Sequence, residues 1–186
     1  MLVYVIIFFT KEIIIMKNTN LKKIVFLSIL LTIAVVLSIV DKSITLLAFP
    51  YLPTAKIGLA NIIILTAIIK FDFKDSLLLV ILKSVLANLL FGGLTSFIIG
   101  GSASLLSFLG MQLTFRFGKK YLSSVGVSVI GGFIHIITQL FITATIYHLG
   151  AIVLFYGALL VIVSLITSII IGLLVNKVSE YKFIGI

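Results

Sequence analysis

The chain contains no cysteine, and only 5 of its 186 residues are acidic. The first absence excludes disulfides and thiolate metal sites. The second is part of a wider shortage of charge. With 10% charged and 62% hydrophobic residues, too little polar surface is available for a soluble domain of this length. No alternating ten-residue pattern suggests an outer-membrane barrel. Apolar runs of membrane-spanning length recur instead, as a bilayer core about 30 Å thick demands of a helix. The class is all-α: a polytopic helical membrane protein lying in a lipid bilayer, of about six transmembrane helices.

Three regions are expected. Residues 1–23 form an N-terminal cytoplasmic or peripheral segment, 24–176 a single six-helix membrane domain, and 177–186 a short cytoplasmic tail. The stretch "MLVYVIIFFTKEIII" is too short and too charged at Lys11–Glu12 to span, and no small-residue cleavage site follows it. A second, more conventional start appears at Met16, so 1–15 reads as a mis-assigned start or a peripheral extension. Six spans are expected at about 24–40, 54–71, 76–91, 95–115, 122–146 and 150–176. An apolar loop over 43–53 precedes the second, which Pro53 opens. The third ends at Gly92–Gly93. The second has the shortest uninterrupted apolar part, so five spans with a re-entrant segment is the alternative.

The net charge of +9 reads as membrane orientation rather than nucleic-acid binding. Cytoplasmic N- and C-termini put Lys17, Lys22, Lys23, Lys70, Lys74, Arg116, Lys119, Lys120, Lys177 and Lys182 on one side. Only Lys42 and Lys56 fall on the other, with Lys83 inside a span. That is a strong positive-inside bias. Asp41, Asp72 and Asp75 fall at span ends, leaving no acid inside the membrane. A proton- or sodium-coupled carrier normally needs one, so secondary active transport loses support.

The fifth span carries the most informative polar pattern. At about 100° per residue, Ser124, Ser128, Gly131, Gly132, Thr138, Gln139 and Thr143 share an arc with His135. Val125, Val129, Phe133, Ile137, Leu140 and Phe141 take the lipid side. Glycine and serine on such a face usually serve close helix packing. His135 with Gln139, one turn apart, points further, to a cavity lining. In the third span, Lys83 either snorkels to the headgroups or balances a buried anion, and Ser84 and Asn88 lie on an adjoining face. Gly150, Gly157, Ser164 and Ser168 in the sixth span, like "GGSASLLSFLGM" in the fourth, read as packing seams. Ala34 and Ser38 form a small-xxx-small pair on the first.

Catalytic patterns are missing. No Gly-rich loop ending in Lys-Ser/Thr grips a phosphate. "DFKD" at 72–75 holds only two acids and has no second acidic cluster, which is too little carboxylate for a magnesium–diphosphate site. His135 and the distant His148 make no metal site. No catalytic residue, cofactor or metal is assigned.

The stretches "AKIGLANIIILTAIIKFDFKDSLLLVILKSVLANLLFGG" (55–93) and "GVSVIGGFIHIITQL" (126–140) resemble a bacterial membrane family known both as Gx transporter and as heptaprenyl diphosphate synthase component I. The matching positions are Lys56, Gly58, Asn61, Phe91, Gly92, Gly93, Gly132, His135 and Gln139. Where that family tends to have arginine, this chain has Lys83, which keeps the charge without the bidentate grip. The family is in turn similar to the substrate-binding (S) components of energy-coupling-factor transporters. The resemblance implies a multi-pass subunit of the bacterial cytoplasmic membrane that takes up a small metabolite, with ATP hydrolysis supplied by a coupling protein and an ATPase pair.

On that reading a small anionic or amphipathic molecule is bound by Lys56, Asn61, Lys83, Asn88, His135 and Gln139. Lys56 and Asn61 stand at the outer entrance, and Ala34 and Ser38 meet the coupling partner. The alternative is a non-catalytic membrane subunit associated with isoprenoid or quinone synthesis or with membrane electron transfer. A channel or flippase is a third, weaker reading.

Overall fold

The computed structural model describes residues 19–48, 50, 56–118, 121–148 and 150–180. The expectations for residues 1–18, Pro53, Lys119, Lys120 and the end of the tail lie outside them, as does the side chain of Phe91. Every regular element among the described residues is helical. Six helices result: α1 (Thr19–Ala48), α2 (Asn61–Lys70), α3 (73–91), α4 (Gly92–Gly118), α5 (Ser124–Tyr147) and α6 (Gly150–Glu180). Asn20–Ala48, Gly92–Gly118, Ser124–Tyr147 and Phe155–Val178 are long and apolar enough to cross a bilayer. The chain is a multi-pass membrane protein.

Two boundaries differ from the sequence expectation. First, α1 does not stop near residue 40. The apolar run resumes after Asp41–Lys42, and the helix continues to Ala48, replacing the first part of the expected 43–53 loop. Second, the helix expected over 54–71 is only 10 residues long. At 1.5 Å per residue it covers about 15 Å, half the hydrocarbon thickness, so the helix alone does not cross. Residues 56–60 before it are non-helical.

α2 is the centre of the assembly. Residues 61–68 are all buried, and the helix touches α1, the α3–α4 pair, α5 and α6. Its isoleucines and leucine pack with Phe26, Leu30 and Ala34 of α1, Leu79 and Val80 of α3, Phe108 and Met111 of α4, and Ile171 and Val175 of α6. Large apolar side chains such as Ile98, Leu113, Phe141 and Ile162 remain exposed on the outside. That is the arrangement lipid permits and water does not.

α3 and α4 form one hairpin about Gly93, whose φ of 71° and ψ of −176° break the helix. The arms then face each other: Lys83 reaches Ser104, and the ring of Phe73 lies 5.5 Å from that of Phe108. A Cβ at Gly93 would meet no atom within 4 Å. The demand there is therefore conformational, because only glycine adopts this backbone region freely. Gly93→Ala is expected to lower stability by about 1–3 kcal/mol, seen as a lower thermal midpoint in detergent. An unchanged midpoint would show that the hinge relaxes without cost.

α1 and α3 run in the same direction. Lys23 pairs with Asp75 at one end, and the Lys42 ammonium approaches Gly92 at the other. α5 and α6 are antiparallel and in close contact: the Ser128 hydroxyl donates to the Ser168 carbonyl at 2.7 Å. Among the expected lipid-facing residues of α5, Phe133, Ile137 and Phe141 are exposed. Leu140 is not; it is buried against Ile57, Ile136 and Leu160, where the non-helical segment before α2 covers it.

Candidate binding site

The non-helical segment 56–59 lies inside the bundle, where backbone polar groups cannot be left to solvent. Three helices satisfy them. The Asp41 carboxylate of α1 accepts from the amides of Ile57 (2.9 Å), Gly58 (2.7 Å) and Leu59 (2.9 Å). Gln139 of α5 accepts from the amide of Lys56 at 2.9 Å. The Ser164 hydroxyl of α6 donates to the Ile57 carbonyl at 3.1 Å, and the Asn61 amide closes on the Gly58 carbonyl at 2.9 Å. Gly58 has φ of 100°, and a Cβ there would crowd Asn61 Nδ2 at 3.1 Å. The glycine expected from the Lys-x-Gly motif is thus required by the turn itself.

Asp41 is the main correction to the sequence reading. It is 1% exposed and sits well inside α1 rather than at a span end. A buried acid does exist in this chain. Its absence therefore no longer counts against coupled transport, and its observed work is to anchor the 56–59 segment. The signal was available in the sequence as "LSIVDKSITLLA", where apolar residues continue beyond the charged pair.

The side chains singled out from sequence converge around this segment. Lys56 is buried rather than standing at an open lip, and its ammonium donates to Asn88 Oδ1. Asn88 Nδ2 donates in turn to the Ser84 carbonyl at 2.8 Å. Lys83 points inward, not to the headgroups: it is 5% exposed and donates to the Ser104 hydroxyl at 2.9 Å. Ser104 is a further member of the cluster that the sequence reading placed only in a packing seam.

His135 and Asn61 are both 3% exposed. Neither ring nitrogen of His135, and neither side-chain polar atom of Asn61, has a hydrogen-bond partner among the described residues. The Ala103 backbone influences the imidazole without reaching hydrogen-bond geometry, and the Lys83 and Lys56 ammoniums both bear on it electrostatically. Gly58 brings the two side chains near each other, since its Cβ position is 3.1 Å from Asn61 Nδ2 and 3.8 Å from His135 Cδ2.

The charged groups buried among the described residues are Asp41, Lys56 and Lys83, two cations against one anion. Buried charges are costly unless paired and hydrogen-bonded, and Asp41 is already engaged by three amides. The arrangement can accept an anion and can donate or accept neutral hydrogen bonds beside it. No group of three or more acidic or histidine side chains that would suit a metal occurs among the described residues.

Ala34 and Ser38 face the other way from their expected role. They are 0% and 3% exposed, and the Ser38 hydroxyl bonds back to the Ala34 carbonyl at 2.9 Å. The small pair lets α1 approach the buried core, where Ala34 packs among α2 residues, and offers no exposed surface to a partner.

The family comparison matches residues 30–178 to the model described as heptaprenyl diphosphate synthase component I. The chain belongs to that family. The matched stretch contains Asp41, Lys56, Asn61, Lys83, Asn88, His135 and Gln139, so the whole polar centre lies within the component I region. The description names one component of a synthase, which is compatible with a component I chain that is not itself the catalyst. Comparison with curated proteins gives no match, and comparison with solved structures gives none either.

Proposed function

We propose that this component I chain is a non-enzymatic membrane subunit that binds a small acidic metabolite at the buried polar centre, in the manner of a transporter's substrate-binding component. The observation that carries the reading is the pair His135 and Asn61, buried side by side at Gly58 with unpartnered polar atoms, His135 within the field of two ammoniums. A bound anion would engage Lys83 and Lys56, while His135 and Asn61 would read the neutral groups next to its charge. Asp41 and Gln139 hold the segment that carries Lys56. Both termini face the cytoplasm in the bacterial cytoplasmic membrane, and a coupling protein with its ATPase pair supplies energy in trans.

Purified protein in detergent, challenged with a panel of small carboxylates and phosphate esters, tests the binding step. A ligand is expected to raise the thermal midpoint of the wild type and to lose about tenfold or more in affinity on His135→Ala or Lys83→Met, through loss of a buried hydrogen bond. No stabilisation by any acid in the panel would sink the reading.

A second reading is favoured by the family description: a membrane subunit that assembles with another synthase component. Affinity purification from membranes separates the two. Recovery of an ATPase pair and a coupling protein supports uptake, whereas recovery of a prenyltransferase supports the synthase assembly.

A further inference from the structure

A groove of about 320 Å³ runs along the outside of the α3–α4 hairpin. Its rims are Ile81, Ile98 and Leu105, which are 43%, 44% and 37% exposed and face the side where lipid lies. Its floor is of a different character: Ser84, Gly101 and Ser102. The Ser84 side chain is 5% exposed, and its hydroxyl has no partner among the described residues. A serine in a helix ordinarily returns its proton to a carbonyl one turn back, as Ser38 and Thr66 do here. Ser84 lines the groove without doing so.

The floor is also the outer wall of the polar centre. The Ser84 carbonyl holds Asn88, and Asn88 holds the Lys56 ammonium. Lys83, next in sequence, reaches Ser104 one helical turn from Gly101. Gly100 permits this close approach, since a Cβ there would sit 2.8 Å from Asn88 Oδ1. A Cβ at Gly101 would make only ordinary contacts, 3.7 Å from the Phe97 ring and 3.9 Å from Ser84 Cβ. Gly101 therefore has room for one methyl group, already in contact with Phe97 and Ser84, where it lines the groove.

An apolar channel on a lipid-facing surface, backed by an unpartnered hydroxyl and an excess of buried positive charge, matches a molecule with two ends. We infer that the ligand is a single-headed amphiphile, its one acidic group set at Ser84 on the groove floor with the buried Lys83 ammonium behind that floor supplying the opposite charge, and its apolar chain laid along the α3–α4 groove. This rests on the binding function proposed above and narrows its ligand class. One negative charge balances two ammoniums and one carboxylate; a diphosphate would overshoot. The chain gains little by leaving lipid for an apolar groove, because both are equally dry. The groove orients, and the head selects.

The test uses the full chain in phosphatidylcholine nanodiscs with a long-chain carboxylic acid bearing a mid-chain diazirine, and the matching alcohol. The acid is expected to label groove residues about tenfold more than the alcohol, the margin of one charge-assisted hydrogen bond. Lys83→Met should reduce the acid to the level of the alcohol. Gly101→Leu should abolish groove labelling, and Gly101→Ala should keep it. Leu105→Trp closes the groove from its exposed rim and reports even if Gly101→Leu fails to fold. Equal labelling by acid and alcohol would mean an ordinary bilayer chain only, and labelling that survives a closed groove would also overturn the inference. A short-chain carboxylate separates the two levels. If it stabilises the wild type but not Lys83→Met while the long acid does not label the groove, the binding centre stands and the amphiphile is wrong. If neither acid acts, the amphiphile is wrong, and if no acid of the wider panel stabilises the protein either, both readings fail.

Discussion

Asp41→Ala is expected to be the most destabilising single substitution in the polar centre. It removes the common acceptor of three backbone amides and leaves the Lys56 and Lys83 ammoniums without their buried counter-charge. Hydrogen bonds to a charged group contribute about 1.5–3 kcal/mol each, and removing one partner from a buried charged set costs about 3–5 kcal/mol. These terms overlap, because the same carboxylate supplies both, so the expected loss is about 4 kcal/mol rather than their sum. Asp41→Asn keeps the shape and one acceptor oxygen and should lose about 2 kcal/mol. Unfolding by SDS titration in mixed micelles measures the series. A loss under about 1 kcal/mol for the alanine variant would mean that the 56–59 segment is held by Gln139 and Ser164 alone.

The next largest effect is expected where α5 and α6 meet. A Cβ at Gly172 would land on the Cα of Val125 and lie 3.0 Å from its amide nitrogen. Backbone cannot rotate out of the way as a side chain can, so Gly172→Ala must move one helix. Overpacking of this kind costs about 1–3 kcal/mol, and this position belongs at the upper end. Gly110 supplies the control, because its Cβ would meet only the outer end of the half-buried Ile134 side chain, whose terminal methyl can rotate aside. Gly110→Ala should therefore cost less than about 1 kcal/mol. Thermal midpoints of the two variants in one detergent give the comparison. Equal shifts would show that the α5–α6 contact can open as easily as a terminal methyl can rotate.

These two positions also show why sequence reading stops where it does. Gly172 has no feature that separates it from the other glycines of the chain; its importance comes from the neighbour across the interface. The polar arc of α5, by contrast, was legible because helical periodicity assigns faces without knowing the partners. Ser128, Gly131, Gly132, His135, Gln139 and Thr143 are buried as that arc requires, while Ser124 and Thr138 are half-buried. Leu140 departs from it because a segment distant in sequence covers that side of the helix.

The sequence determined the all-helical membrane class, the hinge at Gly92–Gly93 and the set of polar residues worth watching. Each depends on composition, on periodicity or on the backbone freedom of one residue, all of which are local. Only the tertiary structure decided what those residues do. Gln139 accepts from a buried amide, Lys83 turns inward to Ser104, and Ala34 with Ser38 packs inside α1's own core contact. It also turned Asp41 from a helix-end charge into the anchor of a buried turn. The reason is that a non-helical segment inside a membrane protein must find its hydrogen bonds on other helices. Which helices supply them is a matter of three-dimensional packing that no window of sequence contains.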